Sequence, residues 1–280
     1  MKNRITTFKA ISAIFGGIFV LVICQSLSHL AYILPLPKVI TSMFFGIAYV
    51  LLSYLFLSNL CKKFFCHSLL ECGIGKPKIN FEWLVIGIIL PVMVSVLLIL
   101  TPGYFVNNGK STTEIISKII ISIFTVGCAA VVEEMIFRGF IMYILKQRWG
   151  KMISIFVPSI VFGLLHTMGG MNFSDILMLF IAGTSVGIMF SLITYESKTI
   201  WPSAIVHAIW NIIIIGGILD IGVKHNAECI YSYVLNSKSI LLTGGHFGIE
   251  ASVISIIGYI AVISFTMFRV YKKKDIAIDI

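Results

Sequence analysis

Two adjacent carboxylates, Glu133 and Glu134, precede Arg138 within one of the most apolar stretches of the chain, bounded by the runs Ile119–Val132 and Phe140–Leu145. A carboxylate in hydrocarbon costs on the order of several kcal/mol unless it is paired or hydrogen-bonded, so charges at this depth point to function. On a helix Glu134 and Arg138 are four apart and share a face, with the acid N-terminal to the base, the favourable order. Glu133 is rotated by about 100° from its neighbour, so Arg138 cannot serve both acids equally. The spacing predicts a division of labour in which Glu134 is restrained by Arg138 and Glu133 is left desolvated and free to act as a general base. Two later apolar segments each carry a polar residue four from a partner: Phe162 with His166, and His207 with Asn211. Singly, each reads as hydrogen-bonding glue between helices. Together, a base for water and donors for a developing oxyanion are what peptide hydrolysis requires.

The elements that must position these residues are membrane spans. Hydrophobic residues make up 58% of the 280 and charged residues 12%, and the mean hydropathy is +1.02, far outside the range of soluble domains. The fold class expected is an all-α polytopic transmembrane helix bundle of about eight spans, each needing roughly twenty apolar residues. The segments are about 8–34, 39–60, 83–106, 119–145, 152–170, 175–195, 199–220 and 249–270. Strict alternation of the kind found in membrane β-barrels is absent. Small residues just before the acid pair (Gly127, Ala129, Ala130) and the Gly183-x-x-x-Gly187 spacing predict close helix approach.

The net charge of +9 does not indicate a nucleic-acid partner. With the N-terminus inside and eight spans, fifteen Lys and Arg (Lys2 and Arg4 among them) fall in inner segments and five in outer ones, which predicts cytoplasmic termini. Cys61, Cys66 and Cys72 lie in the inner loop after the second span, and with His67 they lack the C-x-x-C spacing of a zinc site.

The ordered set Glu133-Glu134-x-x-x-Arg138, Phe162-x-x-x-His166 and His207-x-x-x-Asn211 resembles the CPBP family of intramembrane proteases, which includes type II CAAX prenyl proteases and bacteriocin-processing and self-immunity relatives. The resemblance covers about residues 81–215, flanked by N-terminal helices and a loop (1–80) and by an outer loop and a last helix (216–280). It implies an intramembrane endopeptidase acting on a membrane-embedded or lipidated peptide or protein. By that resemblance Glu133 with His166 activates water, His207 with Asn211 holds the oxyanion, and Glu134, Arg138 and Phe162 support them. No cofactor is expected, since no H-E-x-x-H occurs; a Zn²⁺ site, if formed, would use Glu133, His166 and His207. The Lys, Asn and Ile usage is that of a low-GC bacterium, so a bacterial plasma membrane is expected, with pheromone or bacteriocin precursors better suited than prenylated proteins.

Three other readings are weaker. A rhomboid-type site with Ser185 and His207 leaves Glu133 and Arg138 unexplained. A non-catalytic immunity factor or scaffold, or a transporter using Glu133 as proton carrier, would bind or move a substrate without cleaving it. Alignment of the motifs also carries a demand. A fifth span starting at Met152 puts His166 about 20 Å along its helix, whereas His207 is only about eight residues into the seventh, so tilt or a deeper start must bring them level.

Overall fold

The structure, a computed structural model, describes residues 5–167 and 171–278. Lys2, Arg4 and residues 168–170 of the fifth expected span lie outside the described residues. The chain forms α1 (Thr7–Ser28), α2 (Lys38–Leu60), α3 (Phe81–Ile99), α4 (Thr112–Ser122), α5 (Cys128–Glu134), α6 (Met142–Leu165), α7 (Phe173–Ser197), α8 (Trp201–Trp210), the short α9 (Ile240–Thr243) and α10 (Val253–Ile278). Helix starts follow local chemistry. The Thr6 hydroxyl accepts the Lys9 N–H at 3.3 Å, Ser111 and Glu114 cap α4 reciprocally, and Asn172 accepts the Asp175 N–H at 2.9 Å.

Among the described residues six helical segments are long and apolar enough to cross a membrane, and Trp201–Ile215 is a shorter apolar one. The count is reconciled with eight by the run Thr112–Leu165, a 54-residue segment that holds two expected spans. Its continuity breaks at Gly150, which adopts φ 80°, ψ −174°. Only a residue without a Cβ takes that conformation readily, so the glycine turns the chain back into the bundle.

Three boundaries differ from the sequence expectation. The third span ends at Ile99 rather than 106, and residues Gly103–Asn107 form strand β1. The seventh ends at Ile215 and is followed by β2 (Leu219–Gly222); the eighth starts at Val253 rather than 249. With β3 (Tyr231–Leu235) these strands make a small sheet of order β1-β3-β2, antiparallel between β1 and β3 and parallel between β2 and β3. Gly-Tyr-Phe-Val-Asn is apolar enough to read as more helix, but Pro102 removes a backbone donor and the segment pairs laterally instead.

The sheet caps one end of the bundle. There the Tyr233 hydroxyl donates to the Thr101 carbonyl at 2.7 Å, and Ser122 to the Gly216 carbonyl at 2.6 Å. At the other end Arg148 donates to the Thr7 hydroxyl, Trp201 Nε1 to the Gly75 carbonyl at 2.9 Å, and Arg269 pairs with Glu82 and Glu196. Between the ends two apolar clusters meet. One joins α1 and α2 to the α5–α6 region, and the other joins α3, α7, α8, the sheet and α10.

α6 and α7 cross on bare backbone. A Cβ on Gly183 would stand 2.7 Å from the Gly163 Cα, and one on Gly187 would stand 2.8 Å from the Ser159 Cα. The Gly-x-x-x-Gly face expected from sequence is therefore the contact that brings Phe162 and His166 against α7.

Candidate active site

Short π-helical segments bracket the acidic pair, at Ile123–Gly127 and Met135–Ile141, and a third begins at Asn211. Such wide turns re-aim side chains inside an otherwise regular helix and recur at functional sites. Glu134 and Arg138 are fully buried, and Arg138 Nη1 lies 2.9 Å from Glu134 Oε1. The contact is an ion pair rather than an aligned hydrogen bond, since that nitrogen has no partner meeting hydrogen-bond geometry. The guanidinium is also sandwiched by rings, its Cζ 4.5 Å from the centroid of Phe162 and 5.3 Å from that of Phe190. Phe162 thus holds Arg138 while touching both histidines: its ring centroid is 4.6 Å from His166 and 6.0 Å from His207.

His207 ties the two acids together, which sequence spacing did not show. Its Nδ1 is 3.0 Å from Glu134 Oε1, where the carboxylate accepts the ring N–H. That bond directs Nε2 toward Glu133 Oε2 at 3.6 Å, beyond a hydrogen bond but within ion-pair range. Phe190 stacks on the imidazole with centroids 4.5 Å apart and planes 19° apart, fixing its tilt. Glu134 therefore serves two partners, Arg138 and His207, where the sequence paired it with Arg138 alone. The side chain of Glu133 keeps 19% of its surface exposed against 0% for Glu134. Of the two acids, only Glu133 is open to the cavity.

His166 caps the C-terminus of α6, and its Nδ1 lies 2.8 Å from the Phe162 carbonyl. The carbonyl accepts, so Nδ1 carries the proton and Nε2 is the ring's acceptor. Asn211 is buried and donates one Nδ2 hydrogen to the Val126 carbonyl at 3.3 Å. Glu133, His166, His207 and Asn211 all line one cavity of about 200 Å³. His166 and His207 meet on this cavity although His207 is only six residues into α8, and the Phe162 ring lies within 4.6 Å and 6.0 Å of the two imidazoles.

Ser185 has no part in this cavity: its hydroxyl donates to the Ile181 carbonyl at 2.7 Å on the exposed side of α7. No three of His, Cys, Asp and Glu among the described residues converge closely enough to hold a metal ion. The bond from His207 Nδ1 to Glu134 leaves Nε2 open, so were a Zn²⁺ to bind, Glu133, His166 and His207 are the residues that would hold it, although they are not drawn together as a ligand set in this structure. One cavity residue went unread in the sequence. Glu250, in the 3₁₀ turn Ile249–Ala251, lines the cavity and accepts the Trp210 Nε1–H at 2.9 Å. The available signal was a charge at the edge of the last apolar segment, of the same kind that drew attention to Glu133.

The site is thus a buried carboxylate, two histidines and an amide around one cavity of a polytopic helical bundle. Residues 115–213 match a family model described as type II CAAX prenyl endopeptidase Rce1-like. The matched stretch carries all three motifs, Glu133 to Asn211, and in it the chain is similar to that family. No curated protein and no solved structure matches it significantly.

Proposed function

We propose that the protein is an intramembrane endopeptidase that cleaves a membrane-associated or lipidated peptide with water activated by Glu133, without a metal ion. The observation that carries this reading is the meeting of Glu133, His166, His207 and Asn211 on one cavity inside the bundle. Glu133 takes a proton from water as the oxygen attacks the scissile carbonyl, and returns that proton to the leaving amine. His166 Nε2 accepts the second water hydrogen and orients the nucleophile. The oxyanion is held by His207 Nε2–H and by the Asn211 N–H that does not bond Val126. In this reading His207 donates from Nδ1 to Glu134 and from Nε2 to the oxyanion.

A zinc mechanism is tested on the purified protein. Cleavage by a preparation holding well under one equivalent of zinc, and persisting after a membrane-permeant chelator, is the expected result. Stoichiometric zinc whose removal and return switch cleavage off and on would overturn the metal-free reading.

The charge distribution supports cytoplasmic termini, at the end where Arg148 meets Thr7. We place the mouth of the cavity at the other end, because its lining includes Ile215, 47% exposed and just before β2, and Phe247 and Glu250 of the loop beyond the sheet. Substrate then reaches Glu133 from the outer side, which favours exported peptide precursors over cytosolic prenylated proteins. In intact cells a membrane-impermeant maleimide should label a Phe247→Cys variant and spare the exposed native Cys66 of the inner loop. Labelling of Cys66 alone would invert the assignment.

A further inference from the structure

Glu250 has no role in the chemistry above, yet it is built into the same cavity. Its Oε1 is fixed by Trp210 Nε1–H at 2.9 Å and its backbone carbonyl accepts the Tyr259 hydroxyl at 3.1 Å. Oε2 has no hydrogen-bond partner among the described residues, and it is not sealed in the core either. The turn that carries Glu250 is itself anchored. Asp175 Oδ1 on α7 accepts the His246 N–H at 3.1 Å, and Ser255 donates to the Ile249 carbonyl at 2.6 Å. Trp210, Tyr259 and Phe247 are among the aromatic side chains that line the cavity with it, the first two edge-to-face at 5.3 Å.

No Lys or Arg is among the residues lining the cavity, Arg138 is paired with Glu134, and burial holds the Glu250 carboxyl above its ordinary range. A buried carboxyl with one open oxygen, beside the rings of Trp210, Tyr259 and Phe247, is ionised and paired by a cation brought next to it, and the rings add their own attraction for that cation. We propose that Glu250, Trp210, Tyr259 and Phe247 form a substrate subsite for a lysine or arginine side chain close to the scissile bond. The preferred substrate is therefore a basic peptide segment, with Glu250 a specificity residue. The inference rests on the endopeptidase reading for the word substrate, but the subsite is measurable as binding alone.

The probe is a set of detergent-soluble peptides carrying Lys, norleucine or Glu at one scanned position, bound to Glu133→Gln protein so that no turnover interferes. At one or two positions Lys should bind about tenfold more tightly than isosteric norleucine, and Glu more weakly than both. Adding Glu250→Gln should reduce the Lys advantage to less than about threefold while leaving norleucine binding unchanged. Glu250→Asp, which keeps the charge, should retain most of the advantage, and it serves if the amide variant does not fold. An equal Lys preference with and without the Glu250 carboxylate, or no position at which Lys exceeds norleucine, would overturn the subsite. Cleavage of the same peptides by wild-type protein is scored separately. Charge-selective binding with no cleavage would strike at the endopeptidase reading and leave the subsite standing.

Discussion

Glu133 and Glu250 face one cavity but reach it by different means. Glu133 sits on a continuous helix, where Glu134, Arg138 and Phe162 lock the surroundings through ion pairing and ring stacking among fully buried groups. Glu250 hangs from a short 3₁₀ turn beyond the sheet, placed by two hydrogen bonds to Trp210 and Tyr259 and by the Asp175 anchor. The first arrangement makes a rigid centre whose parts stand or fall together. The second makes a wall that changes through a few polar contacts without disturbing the helices behind it. Chemistry held in common across a family belongs on the first kind of scaffold, and substrate preference is easily varied on the second.

Substitutions at the two places should therefore differ in kind as well as in size. Glu134→Gln leaves the buried Arg138 without its counter-charge and His207 without its acceptor, and should cost about 3–5 kcal/mol of stability. Thermal unfolding in detergent measures it; a melting temperature equal to wild type would mean that the helical centre is not held by this pair. Next in size is Asn211→Ala, expected to lower kcat about 10²–10³-fold with a modest change in KM. If KM rises and kcat stays, Asn211 binds substrate and does not hold the oxyanion. The smallest effect is Asp175→Ala. Losing one hydrogen bond to the His246 N–H should cost about 1 kcal/mol and weaken peptide binding with kcat nearly unchanged. A kcat loss as large as that of Asn211→Ala would erase the distinction between centre and wall.

What the sequence disclosed follows the same line. The Glu134–Arg138 pair, the faces of Phe162/His166 and His207/Asn211, and the glycine crossing at Gly183 and Gly187 are fixed by helical period, so spacing along one element reveals them. The bond between His207 and Glu134 joins residues 73 apart, and only the packing of α8 against α5 creates it. The sheet was hidden because its strands are as apolar as the helices they follow, and hydropathy does not separate a lateral pairing from one more helical turn. Glu250 was visible as a charge near the start of the last span. Its aim into the cavity depends on a loop whose course no periodicity encodes.

The central claim is that Glu133 is the base and that its neighbour is not. Single-turnover cleavage by purified Glu133→Gln protein tests it most directly, with unfolding measured on the same sample. A folded protein that melts within a few degrees of wild type, as for about 1 kcal/mol or less of lost interaction, and shows no detectable cleavage is the expected result. A Glu133→Gln protein that still cleaves at a rate near wild type would contradict it.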